Sequence, residues 1–156
     1  MKFPRQKKAP FHCLADFFRP DEDLCALTAV TIGPKVMEKE QALRDADRYQ
    51  DYLLFHGLAI MTAEALNEWI HRKVRLQWGS DEGDLALGKI WGRKLDQSRF
   101  GFGYAACPDL EGNKVVCDLL DTDRIGLNVT ELFMCDPEVS TLALVTHHPQ
   151  SYYFDV

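Results

Sequence analysis

The run Arg99-Phe100-Gly101-Phe102-Gly103-Tyr104-Ala105-Ala106-Cys107-Pro108 sets a fixed cation beside two glycines and an aromatic. Arginine grips a carboxylate bidentately through its planar fork, and glycine lets a ligand or a second strand approach the main chain where a Cβ would block it. The residue types therefore describe a small-ligand clamp, while a glycine-rich turn carrying an exposed arginine fits the same short pattern. Cys107 lies inside the run, but no adjacent base is evident in the sequence. A buried structural thiol suits it better than a nucleophile, and no catalytic residue is assigned. His147 and His148 are adjacent in a strand-like segment, where successive side chains point to opposite faces and cannot easily share one ion. No metal site is assigned.

The chain has 156 residues, enough to bury about 68–70% of its unfolded surface in one core. Its net charge of −6 offers no general attraction to nucleic acid. The basic opening at Lys2, Arg5, Lys7 and Lys8 lacks the apolar centre of a signal peptide. No apolar run approaches the length of about 18 residues that a membrane span needs. Five cysteines, with no C-x-x-C pair and no interleaved histidines at zinc-site spacing, suit a reducing cytoplasm.

The elements that must carry the clamp follow from hydrophobic spacing. Residues 1–12 form a basic, proline-flanked linker or lead-in, and residues 13–156 a single domain. The run LCALTAVTI at 24–32, closed by Gly33-Pro34, predicts a buried strand. Helical spacing predicts one helix over 35–54 and a second over 58–78, broken at His56-Gly57 and closed by Gly79, forming an αα-hairpin. The second helix turns Met61, Ala65, Leu66, Trp69, Ile70, Val74 and Leu76 inward, with Glu68, Arg72, Lys73 and Arg75 on its wetter side. A loop follows at 80–84. After the clamp come a helix over 113–120, with Val115, Val116, Leu119 and Leu120 inward, and strands over 127–135, 138–148 and 151–154. Short connections favour antiparallel pairing, and no Rossmann G-x-G-x-x-G opens a helix after a strand. The fold class is α+β, an antiparallel sheet with an αα-hairpin packed on it.

The order of further motifs extends the argument. Arg99, Gly103 and Tyr104 lead into Ala106-Cys107-Pro108; Leu119-Leu120-Asp121, Thr130-Glu131 and His147-His148-Pro149 follow, the last with Tyr152, Tyr153 and Phe154. Upstream stand Cys13-Leu14-Ala15-Asp16-Phe17, His56-Gly57-Leu58 and Ala63-Glu64-Ala65-Leu66. In this order the chain resembles, over nearly its whole length, the C-terminal reactivation (activation) domain of cobalamin-dependent methionine synthase. The resemblance implies a module that binds S-adenosylmethionine and presents it to a cobalamin held by a partner domain, not by this chain alone. Flavodoxin or a similar electron donor would supply the electron for reductive remethylation of cob(II)alamin, in methionine biosynthesis. No general acid or base is then required of this module, whose part is binding and orientation.

Carried over residue by residue, the resemblance implies that Arg99 contacts the ligand's methionyl carboxylate. Gly101 stands where main-chain groups meet the ligand, and Gly103-Tyr104 complete the turn. Tyr153 and Phe154 would hold adenine or ribose, and Glu64 would accept a bond from the ammonium or line the sulfonium's surroundings. Two departures accompany it. The family's Asp-Trp-Thr-Pro-type segment, whose aspartate also contacts the ligand, has no match in residues 1–12, so a fragment, a split subunit or a truncated homologue is expected. Leu110 stands where some members carry a histidine. An interaction or scaffold fragment of the same fold without competent ligand binding is the alternative, and an independent methyltransferase a more distant one.

Overall fold

The computed structural model describes residues 1–79 and 97–156. The loop expected at 80–84 lies outside the described residues. In chain order the elements are a 3-10 turn at Leu14–Phe17, β1 (Cys25–Thr31), α1 (Lys35–Asp45), α2 (Tyr49–Gln77), β2 (Arg99–Gly101), α3 (Glu111–Leu120), a second 3-10 turn at Thr122–Ile125, β3 (Asn128–Val129), β4 (Cys135–Asp136) and β5 (Ser140–Thr146). The main sheet is antiparallel with order β1-β5-β2, and β3-β4 form a separate two-stranded ribbon. The expected α+β class, with an antiparallel sheet and an αα-hairpin, is the architecture observed.

β5 is central because it is apolar on both faces: Leu142, Ala143, Leu144 and Val145 are all buried. Its pairings run from Cys25 with Thr146 to Thr31 with Ser140 on one side, and from Arg99 with Val145 to Gly101 with Ala143 on the other. The period of two then sorts side chains. Phe100, Leu142 and Leu144 join the main core with Leu14, Phe17, Phe102, Val116, Leu127 and Phe154. Arg99, Gly101, Thr141 and Ala143 occupy the opposite face, under α2. Among the described residues, β2 is an edge strand of this sheet.

Several expected boundaries move. The hairpin turns at residues 46–48, where Asp47 takes a left-handed φ of 55°, and α2 runs unbroken through His56 and Gly57. Glu40, buried on α1, pairs with His56 Nδ1 at 2.9 Å, and this bond joins the two helices where a break was expected. The inward face of α2 also differs. Ala59, Ala63, Asn67, His71 and Arg75 are buried, whereas Met61, Leu66, Trp69 and Leu76 are exposed. Two alanines let the helix lie close to the sheet, and farther along Asn67 meets the hydroxyls of Thr28 and Thr141 while Arg75 donates to Glu68. Arg75, expected on the wet side, is 1% exposed.

The strand expected over 127–135 is instead the β3-β4 ribbon, turned by Phe133 at a φ of 61° with Phe133 N–H donating to Thr130 O. Residues 151–154 form no strand; Ser151 N–H closes a turn onto His148 O, and Phe154 is drawn into the core. In α3 the buried positions are Gly112, Asn113, Val116 and Cys117, leaving Val115 and Leu119 exposed. The reason is close approach: a Cβ on Gly112 would lie 2.2 Å from the Phe102 ring, so that ring packs directly against the helix backbone. The opening residues are tied down. Arg5 forms a bidentate pair with Asp16 at 2.6 Å, Gln6 donates to Asp155 O at 2.5 Å, and Phe3 packs on the main core.

Candidate functional site

At the β2 edge a cavity of about 250 Å³ opens between α2 and the sheet. Five of the residues singled out in the sequence line it: Glu64, Arg99, Gly101, Tyr104 and Tyr153. They come from three places in the chain, brought together by the β2-β5 register and by the crossing of α2. Arg99 begins β2 and Gly101 follows two residues later, so both face the cavity. Glu64 projects from α2, and Tyr153 reaches the edge from the C-terminal segment, stacking on Phe100 with centroids 5.9 Å apart.

Arg99 is the centre of the electrostatics. Its Nη2 lies 3.6 Å from Glu64 Oε2, and its Nη1 lies 3.9 Å from Glu68 Oε2. Neither distance is a hydrogen bond, and Nη1 is buried without a hydrogen-bond partner among the described residues. A buried guanidinium donor aimed at no acceptor is costly. An incoming carboxylate would remove that cost. Glu64 is half exposed, at 51%, and free to be displaced, whereas Glu68 is 18% exposed and accepts a hydrogen bond from Arg75 Nη2 at 3.1 Å.

Two predicted residues stand apart from the cavity lining. Gly103 shapes the turn: its φ is +83° and a Cβ would lie 2.7 Å from Leu110 Cδ2. Its N–H donates to Cys107 O at 2.8 Å while Cys107 N–H donates to Tyr104 O at 2.9 Å, and this tight turn exposes the Tyr104 ring. Phe154 is 6% exposed and sits in the core against Phe17 and Phe100. Cys107 is buried, and burial, with Asp109 nearby, pushes its thiol up to about 11. It is a protonated packing residue. His147 stacks on Trp78 at 5.0 Å and His148 lies 5.7 Å from Phe17, so the two point apart.

Sequence reasoning missed Asn67, Thr141 and the polar layer behind Arg99. Asn67 Oδ1 accepts from Thr28 Oγ1 at 3.3 Å, and its Nδ2 donates to Thr141 Oγ1 at 3.4 Å, which pins α2 across β1 and β5. His71 is buried, and burial first, then the Arg75 and Arg99 charges, hold its imidazole down at about 3. Burial also raises the Tyr153 phenol, with Tyr104 and Asp155 adding to the effect. The available signal was the spacing of Glu64, Asn67, Glu68, His71 and Arg75, three or four residues apart along one side of a helix. A second hollow of about 360 Å³ shares Glu64, Tyr104 and Thr141 with the first and is walled by Ile60, Phe102, Leu110 and Leu142.

Among the described residues, the fold is an α+β domain with an arginine-lined hollow between α2 and the edge of a three-stranded antiparallel sheet. Residues 2–156 match the model of the vitamin B12 dependent methionine synthase activation domain, and the chain belongs to that family. Methionine synthase of Mycobacterium tuberculosis (strain ATCC 25618 / H37Rv) is 37% identical over 169 residues, which cover 99% of this chain and 14% of the relative. The methionine synthase of Mycobacterium leprae (strain TN) is 36% identical over the same shares. The chain thus spans about a seventh of the curated relatives it matches. The solved MetH reactivation domain bound to AdoHcy is 28% identical, with a TM-score of 0.89, over 98% of this chain and 50% of that one. No helix among the described residues is long and apolar enough to cross a membrane.

Proposed function

We propose that this domain binds S-adenosylmethionine at the β2 edge and presents it to a cobalamin carried by a partner domain of a methionine synthase. The observation that carries the reading is Arg99, whose fork faces the cavity with Nη1 buried and unbonded among the described residues. A zwitterionic amino-acid end suits the pair of groups there. Its carboxylate takes the Arg99 fork, and its ammonium takes Glu64, which the same event releases from Arg99. The solved neighbour's AdoHcy carries such an end. Tyr104 and Tyr153 offer half-exposed rings beside the cavity for the nucleoside, and Gly101 gives main-chain access. Gly103 serves the turn that holds Tyr104, and Phe154 holds Tyr153 in place from the core side.

When bound, S-adenosylmethionine supplies a methyl group to reduced cobalamin, regenerating methylcobalamin in methionine biosynthesis. The chain's own residues bind and orient; none is required to move a proton. The cobalamin domain is the expected partner, with flavodoxin or a similar protein as electron donor, in the cytoplasm, where the five free thiols fit. Nucleic acid and membrane are not partners in this account. Calorimetric titration of S-adenosylmethionine into the wild-type chain and into Arg99→Ala tests it. Saturable binding that weakens by about 10- to 150-fold in the variant is expected, since charged hydrogen bonds contribute about 1.5–3 kcal/mol. A folded wild-type chain that binds nothing would favour the scaffold alternative.

A further inference from the structure

We propose that Glu68, one helical turn beyond Glu64 and outside the cavity lining, is a positioning residue that keeps the Arg99 fork turned toward the cavity. The inference rests on the cavity being the S-adenosylmethionine site. Both carboxylates reach Arg99, yet they differ in kind. Glu64 is half exposed and approaches Nη2 at 3.6 Å, so solvent competes for it. Glu68 is mostly buried and approaches Nη1 at 3.9 Å with one oxygen, while its other oxygen accepts a hydrogen bond from Arg75 Nη2 at 3.1 Å. Arg75 is 1% exposed, so Glu68 is anchored by a group that has nowhere to move.

Glu68 is therefore the fixed charge between two guanidiniums, and Glu64 the replaceable one. His71 Nδ1 lies 3.9 Å from Glu68, but its imidazole is neutral at physiological pH and brings no competing cation. Glu64, Glu68, His71 and Arg75 fall on one side of α2 by their spacing of four, three and four. A ligand carboxylate can displace Glu64 from Nη2 and bond the unpartnered Nη1 beside it, while Glu68 stays 3.9 Å behind Nη1 as the charge that holds the fork. Without the Glu68 charge, Arg75 and Arg99 lose their shared counter-ion. Arg99 then turns outward with Glu64 as its remaining carboxylate among these residues.

The test compares two ligands in three chains. Wild type, Glu68→Gln and Glu68→Asp are titrated with S-adenosylmethionine and with 5′-methylthioadenosine, which has the nucleoside and sulfur but no amino-acid end. Glu68→Asp retains the charge and withdraws it from Arg99 by one methylene. Both variants are expected to bind S-adenosylmethionine about tenfold or more weakly and 5′-methylthioadenosine within about twofold of wild type. Equal loss of both ligands, or of neither, overturns the positioning role, because a structural defect does not distinguish a ligand with a carboxylate from one without. Failure of the underlying reading looks different: the wild-type chain itself would not bind S-adenosylmethionine, or Arg99→Ala would bind as well as wild type.

Discussion

At the scale of single residues, the site is a problem in placing charge beside apolar surface. Arg99 was legible because arginine next to glycines is a recognisable clamp, and Glu64, Gly101, Tyr104 and Tyr153 meet it at the cavity. Glu68 and Arg75 were not legible, since a charged residue on a helix is ordinarily solvated and nothing in composition distinguishes the exception. His71 carries a prediction of its own. Its folded pKa, about 3, lies below the ordinary value of 6.5. Between those values the unfolded chain binds a proton that the folded one refuses, so this contribution to stability is complete above about pH 6.5 and is lost as pH falls toward 3. One proton corresponds to about 1.4 kcal/mol per pH unit across that window. Asp16, held low by its Arg5 hydrogen bond, acts in the same direction at the acid end. Urea unfolding at several pH values should show this slope, and His71→Leu should flatten it; an unchanged slope would mean His71 titrates normally.

At the scale of elements, hydrophobic period found β1, α3 and β5 to within a few residues, because their apolar residues fall in short runs closed by turn residues, but it carried α1 on to residue 54 where the helix ends at Asp45. It failed on α2. That helix turns alanines and polar residues inward and leaves Leu54, Leu58, Met61 and Trp69 exposed, which inverts the usual rule. The same failure put a break at Gly57, which the structure carries through mid-helix with nothing within 4 Å of a would-be Cβ. Gly57→Ala should therefore stabilise the domain by about 0.5–1 kcal/mol, read as a rise in the urea midpoint. A fall would restore the break. Gly112→Ala should do the opposite, destabilising by about 1–3 kcal/mol because its Cβ would meet the Phe102 ring at 2.2 Å. Thermal unfolding of the two variants side by side checks both signs. The β3-β4 ribbon was misread as one strand because LNVTELFMC has strand composition, and a turn through Phe133 has no glycine to announce it.

At the scale of the whole molecule, the sheet separates two tasks. One face carries the aromatic and aliphatic core, and the other, under α2, carries the arginine and its carboxylates. The N- and C-terminal segments brace each other across the core edge through Gln6 with Asp155, while Arg5 with Asp16 ties the opening residues to the first 3-10 turn. Removing residues 1–12 should lower the thermal midpoint by about 5 °C, since Phe3 leaves the core and these bonds are lost; an unchanged midpoint would make the opening segment a passive lead-in. The central claim is that the Arg99 fork takes the carboxylate of S-adenosylmethionine. Its most direct test is a crystal structure of the chain with S-adenosylhomocysteine. The ligand carboxylate is expected within hydrogen-bond distance of Arg99 Nη1 or Nη2, with Glu64 turned to the ammonium. A ligand bound elsewhere, with Arg99 still paired to Glu64, would contradict it.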